Sequence, residues 1–169
     1  MKFDELARLV ESPSLNIVVT SMSSDSHTWN LVYLQLVLEE LGHRVVNLGA
    51  CTPDEVIVES CLDQRPDLIV MSSVNGHGRH DGARVIRAIR GCPELAATPV
   101  VIGGKLDVAA GADGGVTAEL LAAGFDGVFT GSAAIAEFRA FVAALPVPSP
   151  RELIGATPTL VDELTPVGA

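Results

Sequence analysis

The sequence of 169 residues has few aromatic side chains, few cysteines and few basic residues. Only 4% of the residues are aromatic while 48% are hydrophobic, so the core must be built from valine, leucine, isoleucine and alanine. These side chains are typical of a parallel sheet covered by helices on both faces. The three cysteines, Cys51, Cys61 and Cys92, are odd in number and form no C-x-x-C pair, which favours free thiols over a disulfide or zinc framework.

Basic residues are outnumbered by acidic ones, 11 to 21, and the formal net charge is −10. Binding to nucleic acid depends on lysine and arginine neutralising phosphates, so nucleic acid is not an expected partner. No apolar run reaches the ~18 residues of a membrane span. The N-terminus, MKFDELARLV, has acidic residues where a signal peptide would be basic. We therefore expect a cytoplasmic protein with no membrane partner.

Short apolar runs alternate with longer helical patterns, which indicates repeated βαβ units. The predicted strands, nearly continuous in valine, isoleucine or leucine, cover residues 15–20, 44–48, 67–73, 99–103 and 126–130. The predicted helices cover residues 29–41, 53–64, 78–90, 114–123 and 132–145. The pattern predicts an α/β fold: a doubly wound, five-stranded parallel sheet, Rossmann-like, with the flavodoxin-like order 2-1-3-4-5.

The length suits one domain, which we assign to residues 1–145. Residues 1–14 are expected to form a short leading helix. After Leu145 the composition changes to P-V-P-S-P, followed by two further prolines. Residues 146–169 are therefore predicted to be a proline-containing tail that is either disordered or docked on a neighbour.

Polar loops follow the predicted strands at the edge where doubly wound sheets bind ligands. The loops after strands 1 and 3 read S-S-D-S-H-T-W-N and S-S-V-N-G-H-G, and strands 4 and 5 end in G-G-K-L and T-G-S. Asp25 and His27 lie two residues apart, so a turn can join the carboxylate to one imidazole nitrogen. Such a bond fixes the tautomer and makes the other nitrogen a better metal ligand.

Three other kinds of site agree less well with the sequence. His27, His77 and His80 would form a zinc site without an evident fourth ligand. The stretch G-H-G-R-H-D-G falls short of a dinucleotide fingerprint in spacing and follows the wrong strand. A receiver domain needs an aspartate at the end of strand 3, where this chain has Ser72 and Ser73.

Three motifs in order resemble those of a cobalamin-binding family: D-x-H-x-x-G, then S-x-L or S-x-V, then G-G. Here Asp25 opens D-S-H-T-W-N, Ser72 opens S-S-V, and Gly103–Gly104 completes the set. Forty-one residues separate the first motif from the second, and 28 separate the second from the third. The likeness covers about residues 15–144 and is closest to the cobalamin-binding small (sigma) subunits of glutamate mutase (methylaspartate mutase).

The resemblance implies adenosylcobalamin as the cofactor, with His27 as the lower axial ligand of its cobalt and Asp25 as the hydrogen-bond partner of His27. The nucleotide tail would enter a slot between strands 1 and 3, where Ser72 would bond the buried base and small residues would leave room. No catalytic residue is expected in this chain. The implied cofactor-binding residues are Ser24, Asp25, Ser26, His27, Thr28, Asn30, Ser72, Val74, Gly76, Gly78, Gly103, Gly104 and Thr130.

The sequence departs from the family pattern at Asn30, which stands where glycine is usual. Asparagine tolerates a positive φ but adds a side chain, which leaves the shape of the tail entrance open. Trp29 beside it either shields the His27 face or packs under the first helix. Leucine, valine or tyrosine fills eight of the eleven positions 31–41. That helix is either buried between the sheet and the tail segment or meets the cofactor or another chain.

The resemblance implies the cobalamin-binding subunit of an adenosylcobalamin-dependent carbon-skeleton mutase, an isomerase that converts glutamate to 3-methylaspartate. A separate larger catalytic subunit would bind the substrate, and the chain alone would be inactive because one domain leaves the upper corrin face in water. One alternative is a corrinoid methyl carrier, a class that usually has an N-terminal helical bundle where this sequence has about 14 residues. The other is a cobalamin-dependent sensor or binding module.

Overall fold

The computed structural model describes residues 14–108 and 113–146, in which five strands alternate with five helices. The strands are β1 (Asn16–Thr20), β2 (Arg44–Asn47), β3 (Leu68–Ser73), β4 (Val100–Gly104) and β5 (Gly127–Phe129). The helices are α1 (Trp29–Glu40), α2 (Asp54–Gln64), α3 (Gly78–Arg90), α4 (Asp113–Ala123) and α5 (Ala134–Ala144). The five predicted strands and the five predicted helices that follow them are present, with ends within two residues of the prediction.

The five strands form one parallel sheet in the order β2-β1-β3-β4-β5. In register, Val18 of β1 lies between Val46 of β2 and Ile69 of β3, and Ile69 pairs in turn with Val100 of β4. The predicted fold class and strand order are confirmed. The chain changes winding direction between β1 and β3, so the loops that follow these two strands are adjacent at the carboxyl edge.

Successive strand residues point to opposite faces of the sheet, which divides the core into two clusters. Val18 and Ile69 face one side, where they pack with apolar residues of α2, α3 and α4. Ile17 and Val70 face the other side, where they pack with α1 and α5. On this second face α1 lies against β1 and β2, and α5 lies against β5. The carboxyl halves of β3 and β4 are therefore left between two separated helices.

Several sequence expectations have a definite outcome in the described part of the chain. Cys51, Cys61 and Cys92 are all free thiols, as expected, and burial raises the pKa of Cys61 to about 12. None of the helices in residues 14–108 and 113–146 has the length and apolar character needed to cross a membrane. The predicted leading helix and the predicted tail, apart from residues 14 and 146, lie outside the described residues.

Candidate functional site

The loops after β1 and β3 meet around the carboxylate of Asp25, whose side chain is fully buried. Its Oδ2 accepts hydrogen bonds from the backbone N–H of Val74 at 2.7 Å and of Asn75 at 3.2 Å, and from the hydroxyl of Ser73 at 3.1 Å. Its Oδ1 accepts from the backbone N–H of His27 at 3.1 Å and lies 2.7 Å from the ring Nδ1 of His27. One carboxylate thus holds the two loops together.

The protonation of this pair follows from its hydrogen bonds. Burial alone would raise the pKa of Asp25, but the bonds from Val74, from His27 and from Ser73 outweigh it and lower the pKa to about 2. The carboxylate is therefore ionised at neutral pH and can only accept hydrogen bonds. We accordingly assign the ring proton of His27 to Nδ1, which leaves the lone pair on Nε2 of a side chain that is 46% exposed. This arrangement is suited to metal ligation through Nε2.

Asn75 carries the network outward from Asp25. Its side-chain amide donates to the carbonyl oxygen of Ser24 at 2.9 Å, and its amide oxygen accepts from the backbone N–H of His77. The Ser24 hydroxyl is in turn hydrogen-bonded to Asp81 on α3. Sequence reasoning did not single out Ser73 and Asn75 as site residues. Both stand in the S-S-V-N stretch after β3, and only the fold shows that they face Asp25.

A cavity of about 260 Å³ lies beside this network, over β3 and β4 and between α1 and α5. Period-2 alternation turns Val70 and Ser72 of β3 toward the same face as Val101 and Gly103 of β4, so all four line it. The wall is mostly apolar and aromatic. Its lining residues are Trp29, Asn30, Tyr33, Leu34, Val70, Met71, Ser72, Val74, Val101, Ile102, Gly103, Gly104, Phe129, Ala134, Ile135 and Phe138.

Asn30 and Ser72 are buried polar residues of the cavity wall, whereas Trp29 and Tyr33, which also carry polar atoms, are exposed. The Asn30 amide Nδ2 donates to the Ser72 hydroxyl oxygen at 2.8 Å, across 42 positions of the sequence. The Asn30 amide oxygen, Oδ1, is buried and has no hydrogen-bond partner among the described residues. The side chain that departs from the family pattern is therefore placed against the predicted base-binding serine.

Gly103 and Gly104 line the cavity, yet the backbone alone explains why they are glycines. A Cβ on Gly104 would lie 2.1 Å from the carbonyl oxygen of Ser73, and the φ of Gly104 is +112°. A Cβ on Gly103 would lie 2.9 Å from the carbonyl oxygen of Phe129. Contacts below 3.0 Å to backbone are not tolerated, so the approach of neighbouring strands requires both glycines. Room for a ligand is a second consequence, since neither residue adds a side chain to the cavity.

Gly76 and Gly78 are buried, and both pack against the segment that follows β4. A Cβ on Gly76 would lie 2.5 Å from Cγ1 of Val108, and one on Gly78 would lie 2.7 Å from Cδ2 of Leu106. The φ of Gly76 is +86°, and a Cβ on Gly78 would also lie 3.0 Å from Cβ of Ser73, so the fold itself favours glycine at both positions. Their predicted contact with a corrin edge stays a prediction.

Two expectations concern the slot and its entrance. No residue of β1 lines the cavity: α1 covers β1, and the cavity lies over β3 and β4. Entry of the nucleotide tail between strands 1 and 3 stays a prediction. Trp29 does not pack under the first helix. Its side chain is 63% exposed and lines the cavity.

The remaining predicted residues lie around the same edge without lining the cavity. Ser26 and Thr28 are exposed in the loop before α1, and Thr130 is half-buried just after β5. Their cofactor contacts stay predictions. The zinc alternative fails, because the described residues contain no cluster of three or more histidine, cysteine or acidic side chains that could hold a metal ion.

Residues 15–137 match the family described as the B12 binding domain, which covers most of the chain. The glutamate mutase sigma subunit of Halobacterium salinarum is 31% identical over 114 residues, 68% of this chain and 75% of that one. The HTH-type transcriptional repressor CarA of Myxococcus xanthus is 37% identical over 83 residues, 48% of this chain and 28% of the repressor. The glutamate mutase sigma subunit of Fusobacterium nucleatum is 37% identical over 65 residues, 38% of this chain and 48% of the subunit. The chain thus spans less than half the length of the latter two relatives.

Solved structures share the fold at low sequence identity. A novel cobalamin-binding protein from Desulfitobacterium hafniense superposes with a TM-score of 0.61 at 20% identity, over 76% of this chain and 58% of that one. The receiver domain of the sensor histidine kinase PA1611 from Pseudomonas aeruginosa superposes with a TM-score of 0.57, also at 20% identity, over 78% and 97%. These similarities show the fold alone, and Ser72 and Ser73 do end β3 where a receiver needs its aspartate.

Proposed function

Since the chain belongs to the B12 binding domain family and is homologous to glutamate mutase sigma subunits, we propose that it is the cobalamin-binding subunit of an adenosylcobalamin-dependent mutase. The proposed reaction is the isomerisation of glutamate to 3-methylaspartate, carried out with a larger catalytic subunit. In this proposal residues 1–145 form the cofactor-binding domain, residues 146–169 are an appended tail, and the assembly works in the cytoplasm.

The observation that carries the proposal is the hydrogen bond between the buried, ionised carboxylate of Asp25 and Nδ1 of the half-exposed His27. A mostly apolar cavity lies next to this pair. These two features fit the two ends of a cobalamin bound with its own base displaced. His27 would ligate the cobalt through Nε2, and the cavity would take the nucleotide tail. The bonds from Ser73, Val74 and Asn75 fix the carboxylate, and the carboxylate orients the imidazole before the cofactor arrives.

When bound, adenosylcobalamin supplies a radical by homolysis of its cobalt–carbon bond. The chain itself would hold the corrin and exclude water from its lower side, while the larger subunit would bind substrate and cover the upper side. The outer face of α1 supports such an assembly. Trp29, Val32 and Leu36 are at least half exposed there, which makes an apolar surface suited to another protein chain.

Histidine ligation is tested by electron paramagnetic resonance of the cob(II)alamin complex. We expect the wild-type chain to show coupling to an imidazole nitrogen, and His27→Ala to lose it while the domain stays folded. His77→Ala is the matched control, since His77 is exposed in the neighbouring loop and makes no side-chain bond to Asp25. Coupling from the cofactor's own benzimidazole in the wild-type complex would refute the assignment.

The two-subunit proposal is tested by turnover. The purified chain with adenosylcobalamin and glutamate should form no methylaspartate, and the addition of a cognate large subunit should start the reaction. Turnover by the chain alone would contradict the proposal.

One observation favours a second function. The 83-residue stretch that is 37% identical to a transcriptional repressor is compatible with a cobalamin-responsive regulatory module. Tight cobalamin binding without turnover in the presence of any cognate large subunit would favour this function over the mutase.

A further inference from the structure

The side chain of Asn75 joins the loop after β3 to the loop after β1, and backbone groups determine the orientation of its amide. The backbone N–H of His77 is a donor, and it lies 2.9 Å from Asn75 Oδ1. The carbonyl oxygen of Ser24 is an acceptor, and it lies 2.9 Å from Asn75 Nδ2. The reverse orientation of the amide would lose both bonds. The bond from His77 closes a turn within the loop, so the amide is held in place where it meets Ser24.

The bond to Ser24 acts on the peptide group that joins Ser24 to Asp25. The N–H of this peptide donates to the carbonyl oxygen of Met22 at 3.0 Å, and its C=O accepts from Asn75. Because a peptide group is planar, bonds at both of its ends fix how it is turned. The direction in which the Asp25 side chain leaves the backbone depends on that turn. The Asp25 carboxylate then orients the His27 ring, since its Oδ1 lies 2.7 Å from Nδ1.

We propose that Asn75 is a positioning residue for His27 and acts on it through Ser24 and Asp25. The inference rests on the proposed function, in which Nε2 of His27 ligates the cobalt. A ligating group that is already oriented loses less freedom when the cofactor binds. Without the Asn75 amide the carboxylate keeps its bonds to the loop after β3, but the peptide before it loses the bond at its carbonyl end. The imidazole is then less well aligned for ligation.

Two substitutions separate this role from the part that Asn75 plays in its own turn. Asn75→Ser keeps an oxygen that can accept from the His77 N–H, but its side chain is too short to reach Ser24. Asn75→Asp keeps the shape and the acceptor but has no N–H to donate. The serine variant adds no charge, so a result that both share reports on the lost bond to Ser24. Asn16→Ser is the matched control, because the Asn16 amide donates to the carbonyl oxygen of Gln64 at 2.8 Å at the opposite edge of the sheet.

The first measurement uses the chain without cofactor. Heteronuclear NMR of the imidazole nitrogens at alkaline pH, where the ring is neutral, reports which nitrogen carries the proton. We expect the Nδ1–H form of His27 to predominate in the wild-type chain and in Asn16→Ser. Its share should fall in both Asn75 variants toward that of His80, which is exposed on α3. An unchanged share in both variants would overturn the inference.

The second measurement is the affinity for cob(II)inamide, a corrinoid without a nucleotide tail, followed by absorbance. Both Asn75 variants should bind it about tenfold more weakly than the wild-type chain, the lower end of the range for partners of a metal-ligating histidine. In a His27→Ala background the same substitutions should change the affinity by less than about twofold, because no imidazole is left to position. Asn16→Ser should leave the affinity unchanged in both backgrounds.

Equal losses with and without His27 would overturn the inference, since general damage to the domain weakens binding in either background. A loss in Asn16→Ser as large as that in Asn75→Ser would overturn it too. The proposed function fails on a different result, which is that His27→Ala binds cob(II)inamide as tightly as the wild-type chain.

Discussion

The Asp25 carboxylate accepts hydrogen bonds at both of its oxygens, whereas the neighbouring cavity is mostly apolar and has in its wall a buried amide oxygen, that of Asn30, without a partner among the described residues. The first region is held in place by bonds that exist without a ligand. The second region is a cavity whose walls are set by how α1 and α5 pack on the sheet. The loop therefore orients the His27 imidazole in advance, which is what the proposed ligation would require.

The two helices α1 and α3 repeat this contrast on opposite faces of the sheet. Three of the four arginines of α3, Arg79, Arg84 and Arg90, pair with acidic residues, and Arg90 also donates to backbone carbonyls. The exposed side of α1 is apolar over its first two turns, where it includes Tyr33 and Leu36, and ends in the exposed Glu39 and Glu40. A charged, paired surface is suited to water, and an apolar one is suited to a cofactor or another chain.

The largest expected effect on stability comes from removing the carboxylate at the centre of the polar region. Asp25→Ala removes a buried acceptor of five hydrogen bonds and leaves the partly buried N–H groups of Val74 and Asn75 without this partner, which should cost about 3 kcal/mol of unfolding free energy. Urea unfolding measures this loss. Ser26→Ala, one residue away and exposed, is the control and should change stability by less than about 0.5 kcal/mol. A loss below 1 kcal/mol for Asp25→Ala would mean that the network contributes little.

A smaller effect concerns pH. The pKa of Asp25 is about 2 in the folded chain and 3.8 without the fold, so its ionised form stabilises the folded state. That contribution is complete above about pH 4 and is lost as the pH falls toward 2. The difference in unfolding free energy between wild type and Asp25→Asn should therefore shrink over this interval. Urea unfolding at a series of pH values checks it, and a difference that does not change with pH would contradict the assignment.

The smallest effect on stability is expected for a substitution in the cavity wall, which should instead change the affinity for cobalamin. Ala134→Leu adds a side chain at a lining position and should change unfolding free energy by less than about 1 kcal/mol, because the space is available. Cobalamin affinity should fall at least about tenfold, which corresponds to roughly 1.4 kcal/mol, while cobinamide affinity stays the same. Ala136→Leu, exposed on the same helix and outside the lining, is the control. Equal losses for both corrinoids would show that the tail lies elsewhere.

Local patterns carried the prediction of the fold and of part of the site. The apolar runs at β1 and β3 and the helical patterns between them were enough for the strand order, because parallel strands joined by helices allow few arrangements. The pairing of Asp25 with His27 was also predicted, since two residues two positions apart can meet through a turn. The glycines were identified but explained differently, because the carbonyl that excludes a side chain at Gly104 belongs to another strand.

The sequence by itself determined the α/β class, the order of the strands and the edge at which the polar loops gather, because these depend on periodicity and short-range spacing. Tertiary structure alone decided that Ser73 and Asn75 bond Asp25, that the cavity lies over β3 and β4, and that Asn30 meets Ser72. Such contacts join residues more than forty positions apart. Their distances depend on how the helices α1 and α5 seat on the sheet, and a difference of a few ångströms there makes or breaks a hydrogen bond.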